Sequence, residues 1–422
     1  MSLPEIKDIA EGTVFEWEKG RVTILVSRLR SHRDGRVTGR IRIRTNASGF
    51  SPHLHESDFN FSGPQARRTL AQNLAEDYAD LTNWKETLEQ LCVKMLEKLQ
   101  EGEPTVEILS GDDAEPPPPL LPPFLIEGQP TIIYGERGAS KTNFALLLAA
   151  MLQDEGLANE FEHIGPRARP AEVLFLDYES DLKTIRFLLS RIQRGMGTPQ
   201  LGIHYRRRAF PLSDDIEQVK LILERTGAGL IIIDSLGMAA GGDLNATEPA
   251  LRFWAAQRTL NMTTLIMAHT AKNTEDKRKT VYGNAYYENE SKVIWEIRKS
   301  QEQDSSEMDI ALFHRKSAPF QGYHKPIGLH FVYQGEGMNE RLVVTPGRPQ
   351  TVSDFLGLLS VRTQILELLK SGPKTAENLA EMIDRKTGHI SKELTKLKSG
   401  NFVIQLGAQQ WGLIQQESPT YQ

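Results

Sequence analysis

One cysteine, Cys92, is all that this chain of 422 residues contains. A lone thiol excludes an internal disulfide framework and a cysteine-based zinc site, and it fits a reducing compartment. No apolar run reaches membrane-spanning length and no signal peptide opens the chain. A soluble cytoplasmic protein with no membrane partner is expected. An excess of positive charge is also missing: 50 Lys and Arg stand against 55 Asp and Glu, for a net charge of −5. Nothing global therefore announces nucleic acid, and any surface for it must be local. What is present is apolar residue in quantity, 39% of the chain, enough for several cores.

The stretch around which the rest is read is Thr131–Asn143, TIIYGERGASKTN. A β-rich run, Thr131-Ile132-Ile133-Tyr134, reaches Gly135, and after Ser140-Lys141-Thr142 an unbroken apolar helix begins. Strand, glycine-containing turn, Lys-Thr and helix form the context of a phosphate-binding loop. The turn Gly135-Glu136-Arg137-Gly138-Ala139-Ser140 and the helix start offer amide groups to a polyphosphate. Lys141 would reach the β- and γ-phosphates of ATP, and the Thr142 hydroxyl would ligate Mg²⁺. Ser140 stands where the common pattern has its second glycine. As a helix-opening residue, serine is expected to suit the backbone there.

Residues 1–110 read as a small α+β domain: strands at Val14–Trp17, Arg21–Arg30 and Arg36–Thr45, then helices at Gln65–Tyr78 and Trp84–Gln100. Arg40, Arg42 and Arg44 alternate with Ile41 and Ile43, so one strand face is basic, either a solvated outer face or a phosphate-contacting one. Residues 111–123, GDDAEPPPPLLPP, read as a stiff spacer and domain boundary.

Residues 124–350 alternate strand and helix signals and predict an α/β core on a mostly parallel sheet, closed by an antiparallel extension after about Lys292. Residues 355–415 read as three short helices and a hairpin over Gly407-Ala408, the winged-helix order. Lys392 and Lys396, on outward faces of the third helix, could meet a DNA backbone, and the same unit could instead hold a protein partner.

Hydrolysis needs a carboxylate near Mg²⁺ and a group that orients water. Asp234, ending the aliphatic strand Leu230–Ile233, suits the first role. Glu179 ends the strand after the loop helix. That strand is expected beside the loop strand, opening onto the same crevice, which makes Glu179 the candidate base and Asp177 one step deeper.

The segments GERGASKT (135–142), VLFLDYE (173–179), LIIIDS (230–235) and LIMAHTAK (265–272) together resemble the RecA/RepA-like P-loop ATPases, a group that includes plasmid-type hexameric replicative helicases. The resemblance covers about half the chain, roughly residues 120–320, and not the flanking domains. It implies a RecA-like core that binds ATP and Mg²⁺ and hydrolyses ATP. It also implies a homo-oligomer, six subunits in a ring, with single-stranded DNA in a central channel. His269 would then be the γ-phosphate sensor, and Lys277, Arg278 and Lys279 would face the DNA. Arg315 or Lys316 would be offered to a neighbour's ATP, with Arg298 and Lys299 as a competing pair. The function so implied is a helicase or translocase in replication or mobile-element maintenance. The alternative is a nucleotide-gated DNA-binding regulator or a defence-system ATPase without translocation.

Overall fold

The computed structural model describes residues 3–18, 21–31, 34–101, 107–108, 110, 115–161, 164–165, 167–271, 279–352, 355–407 and 409–414. The first unit is an antiparallel meander in sequential order: β1 (Glu5–Ile9), β2 (Gly12–Trp17), β3 (Val22–Ser31), β4 (Val37–Arg44) and β5 (His53–Asn60). The helices α1 (Pro64–Tyr78) and α2 (Trp84–Glu101) cover one face. Phe15, Trp17, Ile24, Ile41 and Ile43 meet Leu74, Trp84, Leu88 and Leu91 there. Two strands more than expected are present. Neither announced itself, because β1 is exposed along its whole length and β5, HLHESDFN, is polar and lacks alternating burial.

The central unit begins earlier than its composition suggests. β6 (Pro119–Leu121) pairs with β7 (Leu125–Ile126), and Leu120 and Leu121 lie in the same apolar cluster as Phe144. The Pro-rich spacer therefore ends before Pro119, because its two leucines have a core to enter. There follow β8 (Pro130–Gly135), α3 (Lys141–Gln153), α4 (Glu155–Asn159), β9 (Val173–Asp177), α5 (Leu182–Met196), β10 (His204–Arg207), α6 (Ile216–Thr226), β11 (Leu230–Asp234), α7 (Leu236–Ala240), α8 (Thr247–Leu260), β12 (Thr264–His269) and α9 (Tyr286–Glu290). The strands β13 (Val293–Ser300), β14 (Glu307–Lys316), β15 (Ile327–Gln334) and β16 (Arg341–Gly347) complete it.

These strands form one nine-stranded sheet, ordered β10-β9-β11-β12-β8-β13-β14-β15-β16. From β10 to β13 neighbouring strands run parallel, and from β13 to β16 antiparallel. Apolar clusters cover both faces, which is why β9, β11 and β12 read as continuous aliphatic runs rather than alternating ones. Helix α3 is buried from Phe144 to Leu152, all round its axis, because the sheet strands β8 and β12 lie against it together with α4 and α5.

The order corrects one expectation. β9 does not lie beside β8; β11 and β12 stand between them. Parallel strands still bring the C-terminal ends of β8, β9, β11 and β12 to one edge of the sheet, and the site assembles across that edge.

The last unit holds α10 (Phe355–Leu358), α11 (Val361–Leu369), β17 (Lys374–Thr375), α12 (Ala376–Ile383), α13 (Thr387–Ser399), β18 (Val403–Gln405) and β19 (Gln410–Leu413). Its core is Ile365, Leu369, Leu379, Ile390, Leu394, Leu397 and Val403. Ala408, placed in the turn by the sequence, lies outside the described residues. Among the described residues no helix is long and apolar enough to cross a membrane, and no cluster of three His, Cys, Asp or Glu could hold a metal.

Candidate nucleotide site

The loop between β8 and α3 is shaped by close approach. A Cβ on Gly135 would lie 2.5 Å from the Ile297 carbonyl oxygen of β13, so only glycine lets the loop strand end there. Gly138 turns with φ +77°. Ser140 also takes a left-handed conformation, φ 56° and ψ 30°, with no cap made by its side chain. This corrects the expectation that serine suits the position as an ordinary helix opener. The backbone requires what glycine supplies, and serine holds it at a cost of about 1 kcal/mol or more. The Ser140 hydroxyl lies 3.4 Å from the Tyr333 hydroxyl of β15.

Lys141 is buried and folds back over the loop, donating to the Gly135 carbonyl at 3.1 Å and the Glu136 carbonyl at 2.9 Å. Burial lowers its pKa, with Asp234 and Glu179 opposing. Such a lysine exchanges weak carbonyl partners for phosphate oxygens when an anion arrives. Thr142 donates its hydroxyl hydrogen to Asp234 Oδ2 at 2.6 Å. Burial pushes Asp234 up to about 6, reinforced by Glu179 and Asp177 and opposed by the Thr142 hydrogen bond. A buried carboxylate bound to a threonine hydroxyl, and costly to ionise unaided, is a donor pair that fits a divalent cation. Thr142 and Asp234 would hold Mg²⁺, which supplies positive charge for phosphate oxygens.

Glu179 reaches the same place from β9. Its Oε1 accepts from the Ser235 hydroxyl and lies 3.4 Å from His269 Nε2. Its pKa is held down at about 2, first by the His269 hydrogen bond, against burial, and then by Ser235. His269 Nδ1 lies 3.4 Å from Lys141 Nζ, so lysine, histidine, glutamate and serine form one continuous polar chain. Ser235 is the member that sequence reasoning passed over; its signal is its place directly after the strand-end Asp234 in LIIIDS. The Asp234–Ser235 peptide bond is cis. Asp177 is not part of the chain: its carboxylate is used by the Glu179 and Ser180 amides and the Tyr205 hydroxyl.

The remaining loop residues divide. Ala139 is buried and donates its amide to Glu136 O at 3.2 Å, while Arg137 stands exposed at the tip. The Glu136 carboxylate accepts from the Lys279 ammonium. Lys277 and Arg278 lie outside the described residues.

Several basic residues singled out earlier are placed elsewhere. Arg315 donates to the buried Glu296 from Nε at 2.8 Å and from its terminal nitrogen at 2.6 Å, and to the Leu358 carbonyl at 2.7 Å. Lys316 donates to the Glu288 and Asn289 carbonyls at 2.7 and 2.8 Å. Both are thus held within their own subunit, where a finger for a neighbour would need a free end. Arg40 and Arg42 share Glu56 of β5, at 2.7 and 3.0 Å, and these two arginines hold that carboxyl down at about 2. Arg44 alone of the three is exposed. The face is therefore mixed rather than wholly basic, because β5, unseen in the sequence, brings its acid alongside. On α13, Lys392 is exposed, and Lys396 is exposed and pairs with Glu393.

Comparison with known proteins reaches part of the chain. No curated protein matches. Among solved structures, the KaiC-like protein PH0186 from Pyrococcus horikoshii OT3 is similar at 14% identity, over 54% of this chain and 94% of that one, with a TM-score of 0.35. Residues 98–275 match the family model described as an AAA domain, a span that contains the phosphate loop, Glu179, Asp234 and His269.

Proposed function

We propose that the protein is an oligomeric, DNA-dependent ATPase of the RecA/RepA-like type, a helicase or translocase acting in replication or mobile-element maintenance. The observation that carries the ATPase reading is convergence: Lys141 and Thr142 from the start of α3, Glu179 from just beyond β9, and Asp234 and His269 from the ends of β11 and β12 meet through contacts of 3.4 Å or less. In this reading the loop amides and Lys141 bind the polyphosphate of ATP, and Thr142 and Asp234 hold Mg²⁺. Glu179 accepts the proton of the attacking water, and His269 senses the terminal phosphate.

The resting state is a poor base by design. A carboxylate held near 2 by His269 has little appetite for a proton. When His269 turns to the γ-phosphate, Glu179 loses its main stabilising partner and its basicity rises. Hydrolysis is thereby tied to occupancy of the site.

The flanking units support the nucleic-acid part. Three helices followed by a hairpin fit a winged helix, and His389, Lys392 and Lys396 of α13, with Lys386 just before it, are exposed. Single strands would be gripped by the loops after β11 and β12. Six copies in a ring would let each loop pair follow its own nucleotide.

The test is ATP turnover with and without single-stranded DNA of mixed sequence. A motor should accelerate severalfold, with the gain falling steeply as salt rises. Turnover indifferent to single strands, together with sequence-selective duplex binding, would mark a nucleotide-gated regulator instead.

A further inference from the structure

Beside the phosphate loop lies a small polar cleft lined by Glu136, Lys279, Glu296, Arg298 and Lys299. Three cations face one exposed carboxylate, that of Glu136, since Glu296 is 1% exposed and already shared by Arg298 and Arg315. Lys279 forms the ion pair with Glu136, and Arg298 and Lys299 lower the Glu136 pKa further from nearby. Lys299 Nζ lies 3.5 Å from where a Cβ on Gly138 would be, directly over the loop.

Lys279 is not placed there by chance of a long side chain. The buried Tyr134, one residue before Gly135, donates its hydroxyl to the Lys279 carbonyl at 2.7 Å. Next along the chain, the Thr280 carbonyl accepts from the Ala271 amide at 3.3 Å, and Val281 bridges to Thr270, the residue directly after the end of β12. The main chain of Lys279 is thus fixed to the loop strand and close to His269. Only its ammonium is free to choose between anions, and the anion it has now is a residue of the phosphate loop.

We propose that Lys279 is a second phosphate-reading lysine, and that Glu136 occupies it until a nucleoside triphosphate arrives. The inference rests on the ATP-site reading above and deepens it: Lys141 binds any polyphosphate seated in the loop, while Lys279 distinguishes the triphosphate. The physics is competition for one ammonium. An exposed carboxylate is a weak partner, separated at small cost, whereas a terminal phosphate offers more charge and three acceptor oxygens. Diphosphate leaves Lys279 with Glu136, and triphosphate takes it.

The experiment is equilibrium binding of ADP and of a non-hydrolysable ATP analogue, each with Mg²⁺, to the full chain. Wild type, Glu136→Gln, Lys279→Met, their double variant and Lys141→Ala are compared, with thermal melts confirming the fold of each. Lys279→Met should weaken the triphosphate about tenfold and leave ADP within about twofold. Glu136→Gln should tighten the triphosphate by about two- to fivefold, a gain absent in the double variant. Equal effects on both nucleotides, no effect on either, or a Glu136→Gln gain that persists without Lys279 would overturn the proposal while leaving the ATP site intact. Wild type that binds neither nucleotide, or Lys141→Ala that binds both normally, would overturn the site reading and this inference with it.

Discussion

Ser140 and Asp234 are two residues at this site that carry a cost in stability. Ser140 holds a left-handed turn that glycine adopts without strain. Ser140→Gly should therefore raise the melting midpoint of the central unit by roughly 2–4 °C, the equivalent of about 1 kcal/mol, after allowing for glycine's greater freedom when unfolded. A lower midpoint in differential scanning calorimetry would show that the Ser140 hydroxyl, near Tyr333, contributes more than its backbone costs. Asp234 has its folded pKa raised by burial to about 6 from the ordinary 3.8. The folded state then binds the extra proton between those values, so metal-free stability falls as pH rises through about 4 to 6 and stays low above. At neutral pH the loss is at most about 3 kcal/mol. Asp234→Asn should be more stable than wild type at pH 7.5 without metal, with the difference shrinking towards pH 4, and it should not hydrolyse ATP. Urea melts across that range, paired with a turnover assay, check both halves.

At the scale of elements, what was legible depended on whether an element's signal was local. The turn Gly135–Thr142 and the aliphatic strand ending in Asp234 carry their chemistry in consecutive residues, and the structure brings them together. Strand order is a non-local property, and the place of β9 away from β8 could not be read from spacing. The same holds for β5, whose Glu56 changes the meaning of Arg40 and Arg42. Arg315 teaches the point most sharply. Its position at a strand end suited a neighbour-directed finger, but the buried Glu296 on β13 pairs with it across the antiparallel ladder. Arg315→Ala should destabilise the chain by about 3 kcal/mol, a drop of roughly 6–12 °C, because it strips a buried carboxylate of its main partner. A variant that melts like wild type and loses only ATP turnover in the oligomer would return Arg315 to the finger role.

At the scale of the whole molecule, the three units are not independent beads. Arg30 of β3 pairs with Asp214 at 2.8 Å, the Arg28 amide donates to Glu217 at 2.6 Å, and Arg252 joins the same Asp214. At the other end, Phe313 of β14 packs on Phe355 of α10, and Arg315 reaches Leu358. The flanking units thus rest on the central unit through side-chain contacts at both ends. Mass measurement should find a defined assembly of six subunits, stabilised by the ATP analogue and single-stranded DNA. A monomer under every condition would argue against a ring, and against any site completed by a neighbour.

The central claim is that one edge of the sheet holds a metal-bound triphosphate between Lys141, Asp234 and Glu179. The most direct measurement is calorimetric titration of Mg·ATP into the full chain beside a turnover assay. One saturable site should appear in wild type and in Glu179→Gln and be lost in Lys141→Ala, with turnover present only in wild type. Binding that survives Lys141→Ala, or turnover that survives Glu179→Gln, would contradict it.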